Sequence, residues 1–204
     1  ASVYGRTIAS RSAGGFLVAG PDWNSSTIIR ARRVGANGQP AGASFTIPSL
    51  DLASNGSEYY VTWVSDFVNL VGSRMTTGGT LLNPAGTILA EGFTQYHGRT
   101  LAHDGASWWL AWGAADQWRT LRISAAGAVL DAGGGALLPL VIGGTVNNAY
   151  AAQLAPRATG GVQFLWHDQR PSLGNDSNVF TLPVGSANQP GSEACISTGT
   201  ANQR

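Results

Sequence analysis

A short phrase that returns four times along this chain limits what it can fold into. Each copy begins with an aliphatic residue and alanine, passes a short turn, continues as an apolar run and ends in aspartate. The copies cover residues 8–22, 52–66, 101–116 and 154–168. The apolar runs of the last three end in Trp63, Trp112 and Trp166, with Ala19 in this place in the first. We expect the three tryptophans to be buried at equivalent positions. Such a period is typical of stacked or ring-arranged units, so the chain is predicted to fold as an array.

A second phrase follows each copy of the first. An arginine stands five residues before a glycine in three units, as Arg33 before Gly38, Arg74 before Gly79, and Arg122 before Gly127. In the fourth unit Pro183 replaces the arginine and Asn188 replaces the glycine. Asparagine accepts a positive φ more readily than other non-glycine residues, which indicates the same tight turn in all four units. We expect the arginines to bond backbone carbonyls of a neighbouring unit.

Each unit contains four candidate strands and almost no helical pattern, because the apolar runs are short and bounded by turn residues. In the second unit they cover about 50–54, 58–64, 69–76 and 86–90, and in the third about 98–102, 107–113, 117–123 and 136–142. Asn55-Gly56 and Asp104-Gly105 are pairs favoured in tight hairpins. The sequence therefore predicts an all-β protein with under a tenth of its residues in helices.

The second strand of each unit is apolar on both faces. In the third unit Trp108, Leu110 and Trp112 point one way, and Trp109 and Ala111 point the other. A strand covered on both sides fits a small sheet held between two similar sheets, and four-stranded units of this length are propeller blades. The prediction is one β-propeller domain over residues 1–204, built of four antiparallel four-stranded blades. The blades cover about 1–48, 49–92, 93–144 and 145–204.

The two phrases resemble the blade repeat of secreted bacterial β-propeller proteins and, more loosely, the blades of tectonin- and tachylectin-type propeller lectins. The resemblance covers essentially the whole chain, and the chain departs from it at Ala19 and Pro183. It implies a propeller that is either a closed four-bladed ring or part of a larger one. Together with the low charge and the many tryptophans, it favours an extracellular or cell-surface location.

The apolar blade faces constrain assembly, because monomers rarely expose large apolar patches. Three arrangements stay open: the chain closes on itself, it dimerises into a larger ring, or it docks onto a further segment. We expect the first, a monomer of 21.1 kDa. The single cysteine, Cys195, is either a small buried residue or a partner for a cysteine elsewhere.

Composition excludes several function classes. Only 11% of the residues are charged and the net charge is +1, with no basic cluster beyond residues 30–33, so a nucleic-acid partner is not expected. No apolar stretch is long enough to span a bilayer, which argues against membrane insertion. The three histidines lack the spacing of a zinc site, and no phosphate loop or nucleophile elbow is found. We predict no catalytic residue, no metal, no cofactor and no enzymatic activity.

The repeated aspartates are the candidate binding residues, because equivalent positions in a ring lie on one rim. Each has an aromatic or basic residue one or two positions later. The pairs are Asp22-Trp23, Asp66-Phe67, Asp116-Trp118 and Asp168-Arg170. An aromatic ring can stack on the C–H face of a sugar while the carboxylate accepts hydrogen bonds from its hydroxyls. The alternatives are that the aspartates cap the turns and that the aromatic residues fold inward between blades.

These observations predict a non-enzymatic extracellular binding module, most plausibly for glycans. The alternative is a protein-binding or structural propeller segment of a larger secreted or surface protein, which engages partners by its loops. A hydrolase is less favoured, because a glycosidase needs two carboxylates facing one bond and equivalent positions in a ring do not provide such a pair.

Overall fold

The computed structural model describes residues 8–12, 15–22, 25–92, 98–114, 117–138, 150–169 and 177–197. The chain forms two compact units, Ala1–Glu91 and Gly92–Arg204, and each is described by itself. Each unit contains two four-stranded sheets. The division lies beside the predicted boundary between the second and third repeats.

Within the described residues, sixteen strands form four antiparallel sheets in which consecutive strands are neighbours. Sheet 1 contains β1 (Ile8–Ser12), β2 (Gly15–Asp22), β3 (Ser25–Gly35) and β4 (Pro40–Ile47). Sheet 2 contains β5 (Leu52–Ser54), β6 (Glu58–Ser65), β7 (Asn69–Thr76) and β8 (Thr87–Ala90). Sheet 3 contains β9 (Arg99–His103), β10 (Trp108–Ala114), β11 (Gln117–Ile123) and β12 (Ala136–Leu137). Sheet 4 contains β13 (Tyr150–Pro156), β14 (Val162–Gln169), β15 (Ser177–Val184) and β16 (Ala194–Cys195).

The predicted all-β class and the four-stranded repeat are confirmed. Within the described part of the chain the only helical segment is a 3₁₀ turn at Ala132–Gly134, and no helix there is long and apolar enough to cross a membrane. No sheet closes into a ring among these residues. The architecture is consistent with a blade repeat.

The turns follow the predicted chemistry. In sheet 2 the side-chain oxygen of Asn55 accepts backbone N–H bonds from Ser57 and Glu58, each at 2.9 Å. Gly56 and Gly105 occupy the equivalent positions of the two hairpins with φ of 98° and 99°. Asn188 has φ 58°, which confirms that it takes over the role of the repeated glycine.

Strand pairing defines two faces in every sheet, because side chains alternate along a strand. On the third strand of each sheet, the repeated arginine or Pro183 is followed by Val34, Met75, Ile123 or Val184. The second-strand residues that pair with these four are Phe16, Tyr59, Trp108 and Val162, and we call the face that carries them the front face. The next residue along the second strand opens the opposite, back face: Leu17, Tyr60, Trp109 and Gln163.

The same two faces meet in both compact units. In the first unit the back face of sheet 1 packs against the front face of sheet 2, in a cluster that includes Leu17, Ala31, Tyr59 and Met75. In the second unit the back face of sheet 3 packs against the front face of sheet 4, with Trp109, Trp118, Phe164 and Trp166. In both compact units, therefore, the back face of one sheet packs on the front face of the next sheet along the chain.

Two predictions about the tryptophan position need correction. The pairing register places Gly20 opposite Arg30 as Trp63 lies opposite Val71, so Gly20 and not Ala19 stands at this position in the first repeat. Trp112 and Trp166 are 2% and 1% exposed as predicted, but Trp63 is only partly buried. Trp63 packs against the buried cluster of sheets 1 and 2 from its margin.

The repeated arginines have different partners. Arg122 donates one hydrogen bond to the backbone oxygen of Ser186, in the turn after β15, at 2.7 Å, as predicted, and also binds the Asp131 carboxylate at 2.6 Å. Arg74 instead forms a bidentate salt bridge with Glu58 on the adjacent strand, at 2.8 and 3.0 Å. This pairing raises the pKa of Arg74. The expected contact with a neighbouring carbonyl is thus found for Arg122, whereas the contacts described for Arg74 stay within its own sheet.

Candidate functional site

The turn between β6 and β7 carries the clearest candidate site. The two strands are paired up to Ser65 and Asn69, and the N–H of Val68 donates to the carbonyl of Ser65 at 3.2 Å. Between them Asp66 and Phe67 have φ of 53° and 62°, so two successive residues lie in the left-handed region. Both side chains are exposed at the tip of a fully paired hairpin.

The tip is apolar and acidic at once. Phe67 is 80% exposed and Val68 is 51% exposed. The carboxylate of Asp66 accepts a hydrogen bond from the hydroxyl of Ser65 at 2.9 Å, which fixes it beside the ring-bearing residue. A bulky residue with positive φ is rare and costs conformational energy. Such a residue, exposed at the tip of a turn, suggests a contact outside the chain.

The equivalent turn of sheet 1 is built differently. Asp22 lies at the end of β2, where the pairing with β3 shifts register. Its carboxylate accepts a hydrogen bond from Nε of Arg30 at 2.8 Å, and its side chain is only 18% exposed. This carboxylate is already neutralised within the sheet. Nothing in the repeat pattern indicates Arg30 as its partner.

Trp118 is not a surface residue. It lies on β11 and is 2% exposed, with its ring centroid 5.1 Å from that of Phe164 in sheet 4. The alternative, that the aromatic residue folds inward between two sheets, describes its position. A ring buried in this way cannot stack on a ligand at the surface, so Trp118 is left out of the candidate site.

The other predicted site residues divide into two groups. Asp168 lies within β14, where it pairs with Asn178, and not in a turn as expected. Trp23, Asp116 and Arg170 lie outside the described residues. Of the four Asp-aromatic or Asp-basic pairs, the described part of the chain therefore presents one exposed pair, Asp66-Phe67.

A second polar cluster, at the hairpin between β9 and β10, serves the fold. Partial burial raises the pKa of Asp104, but hydrogen bonds from Ser107, Ala106, Trp109 and Gly161 lower it by more, so it lies below the ordinary value. Burial lowers the pKa of the neighbouring His103, which accepts a bond from the N–H of Gly105 at 3.2 Å. These bonds join two turns and leave no open site.

Among the described residues, no group of three or more histidine, cysteine, aspartate or glutamate side chains is arranged to hold a metal ion. Cys195 is exposed, and its thiol donates to the carbonyl of Ser197 at 3.2 Å. The prediction that it is buried is therefore wrong, which leaves its other predicted role untested.

No known protein family matches this chain, and no curated protein matches it either.

Proposed function

We propose that the four sheets are blades of a β-propeller and that the chain is a non-enzymatic extracellular binding module for glycans. The observation that carries the proposal is Phe67, whose ring is 80% exposed beside the exposed carboxylate of Asp66. The ring offers a flat apolar surface to the C–H face of a sugar, and the carboxylate accepts hydroxyl hydrogen bonds.

The strain of the turn supports this role. A non-glycine residue in a sparsely populated backbone region costs about 1–3 kcal/mol, and such residues concentrate at functional positions. Phe67 adds an exposed apolar ring to that cost. Glycine at this position would adopt the same backbone without penalty. The presence of phenylalanine at this position is thus better explained by binding than by stability.

The test is a glycan array with the intact chain, followed by titration of the best sugar. We expect Phe67→Gly to weaken binding at least about tenfold, which corresponds to about 1.4 kcal/mol, and to leave the melting temperature equal or higher. Asp66→Asn should weaken binding without unfolding. Leu82→Ala is the matched control, because Leu82 is 49% exposed in the connection between β7 and β8, where its N–H donates to the carbonyl of Arg74 near the far end of β7.

Two results would contradict the proposal. One is an array on which the intact chain binds no glycan. The other is an equal loss of binding in Leu82→Ala and Phe67→Gly, because it would show that the turn is not the site.

A second candidate function is protein binding, as part of a larger secreted or surface protein. Phe67 and Val68 together form an exposed apolar tip, and aromatic anchors of this kind are enriched at protein interfaces. A pull-down from secreted or cell-surface proteins that depends on Phe67, with no glycan binding, would favour this function.

A further inference from the structure

The turn that carries the repeated glycine position meets the preceding sheet in both compact units. In the first unit, Gly79 of sheet 2 lies against the ring of Phe45 on β4 of sheet 1. In the second unit, Asn188 of sheet 4 binds Thr120 on β11 of sheet 3. Gly79 and Asn188 both stand five residues after the repeated arginine or its replacement, so the two contacts are equivalent.

The surfaces that receive these two turns differ at two matched positions. On the third strand, two residues before the arginine, sheet 1 has Ala31 and sheet 3 has Thr120. The fourth-strand residues that pair with them are Phe45 and Ala136. Sheet 1 therefore offers a large apolar ring beside a methyl group, whereas sheet 3 offers a hydroxyl group beside a small residue.

The side chain of Asn188 is bound by sheet 3 through both of its polar atoms. Its Oδ1 accepts the hydroxyl of Thr120 at 2.7 Å, and its Nδ2 donates to the backbone oxygen of Thr120 at 3.0 Å and to the Asp131 carboxylate at 2.7 Å. Asn188 is 7% exposed and Thr120 is 0% exposed, so water cannot replace these partners. Glycine at this position would remove the acceptor of the Thr120 hydroxyl and one donor of Asp131.

Gly79 and Phe45 fit each other by shape. A Cβ on Gly79 would overlap the ring of Phe45, so a larger residue fits there only if the ring moves. Ala31, which pairs with Phe45, is 0% exposed and has no polar side-chain atom. An asparagine on this turn would therefore collide with the ring and find no hydroxyl group on sheet 1.

We infer that the repeated turn position and the sheet before it form a matched recognition pair, which decides which sheet packs on which. The turn of sheet 4 fits sheet 3 through hydrogen bonds, and the turn of sheet 2 fits sheet 1 through shape. Exchanging the two turns would bury an unsatisfied amide group at one contact and an unpaired hydroxyl group at the other, and each such group is destabilising. The four sheets are thus not interchangeable copies, and each compact unit is a specific pair.

The polar pair is tested by a double-mutant cycle in the intact chain, with the melting temperature measured by circular dichroism. Asn188→Gly and Thr120→Ala should each lower the melting temperature by roughly 5 °C. The double variant should lose clearly less than the sum of the two, because the shared contact is lost only once. Any effect of glycine on the backbone cancels in the cycle. Additive losses would overturn the inference.

The shape pair is tested by making sheets 1 and 2 resemble sheets 3 and 4. Gly79→Asn should lower the melting temperature, and so should Phe45→Ala, which removes a partly buried ring. Adding Phe45→Ala and Ala31→Thr to Gly79→Asn should instead raise it, because these changes supply the room and the hydroxyl group that Asn188 uses. The matched control is Gly38→Asn, since Gly38 holds the same turn position with φ 76° and an added Cβ there would meet no described atom within 4 Å.

The comparison between these variants decides the second test. The inference is overturned if Gly79→Asn melts at the same temperature as Gly38→Asn, because the ring of Phe45 would then not select the turn residue. A triple variant that melts no higher than Gly79→Asn would also contradict it. If Gly79→Asn does not fold, recovered melting in the triple variant supports the inference, and the cycle at Asn188 and Thr120 tests it independently.

Discussion

Replacing Trp166 by alanine is expected to lower the free energy of unfolding by about 3–5 kcal/mol. The side chain is 1% exposed between sheets 3 and 4. Its ring centroid lies 5.3 Å from that of Phe164 and 5.7 Å from that of Phe180. Alanine would leave a large cavity in this aromatic cluster, which the surrounding rigid strands cannot fill. In a chain of this length each kcal/mol lowers the melting temperature by about 2–4 °C.

Two further variants separate cavity formation from other effects. The indole N–H of Trp166 has no hydrogen-bond partner among the described residues, so Trp166→Phe should lose only part of the packing and cost about 1–2 kcal/mol. Trp63→Ala should cost less than Trp166→Ala, because Trp63 is only partly buried. Urea denaturation followed by circular dichroism measures all three. An unchanged melting temperature for Trp166→Ala would show that this position is not part of the framework.

The strands of sheets 2 and 3 could be predicted closely because their signals are local. β7 lies at residues 69–76 and β11 at 117–123, as the alternation and the flanking turn residues indicated. Turn capping by Asn55 and Asp104 depends on the neighbouring two or three residues. Short-range chemistry of this kind is written in the sequence itself.

The tryptophan position of the first repeat was wrong because it depends on pairing across strands. Counting from the shared Ile-Ala and Leu-Ala phrase presumes an equal distance to the second strand. In the structure Leu17, which pairs with Arg33, lies eight residues after Ala9, whereas Tyr60, which pairs with Arg74, lies seven residues after Ala53. This one-residue difference moves every assignment in the second strand that is counted from the start of the repeat. Only the cross-strand pairing with the arginine strand shows the shift.

Only part of the candidate site could be predicted, because the packing of one strand or sheet on another is not visible in the local sequence. The predicted strand 117–123 already contained Trp118, and alternation along it decides which way the ring points, but the sequence alone does not say which face is covered. Trp118 therefore belongs to the core and not to the rim. Conversely, the residue types Asp66 and Phe67 do not predict two successive positive φ angles. That conformation is imposed by the paired strands on both sides.

The second prediction with a large expected effect concerns Asp104, which joins two sheets. One carboxylate oxygen accepts N–H bonds from Ala106 and Ser107 at 2.9 and 2.8 Å. The other accepts the indole N–H of Trp109 at 2.9 Å and the backbone N–H of Gly161, in sheet 4, at 3.0 Å. Trp109 is 0% exposed, so its N–H has no access to water if this acceptor is lost.

Asp104→Asn should therefore lower the free energy of unfolding at pH 7 by about 3 kcal/mol. Asparagine can still accept the two turn bonds with its carbonyl oxygen, but its amide group would face two donors. Each buried donor left without a partner costs about 1–3 kcal/mol. Asn55→Ala is the matched control, because Asn55 caps the equivalent turn of sheet 2 as a neutral side chain. Its loss should be about 1 kcal/mol and independent of pH.

The pH dependence follows from the lowered pKa of Asp104. Its ordinary value is 3.8, and the folded chain holds it lower, so in this range the unfolded chain binds more protons than the folded one. The contribution is complete well above pH 3.8 and is lost as the pH falls through the folded-state pKa. The pKa of His103 is also lowered in the folded chain, so His103 reduces the free energy of unfolding at a higher pH than Asp104 does, beginning as the pH falls below about 6.5.

Urea denaturation of the His103→Gln variant and of the double variant His103→Gln, Asp104→Asn isolates the contribution of the Asp104 carboxylate. The difference between the two free energies of unfolding should be largest at pH 7 and shrink below pH 4, because the protonated carboxyl group is a weaker acceptor for Trp109 and Gly161. A difference that stays constant down to pH 2.5 would contradict the role of the ionised carboxylate. A difference near zero at pH 7 would show that the four hydrogen bonds to Asp104 do not stabilise the folded chain.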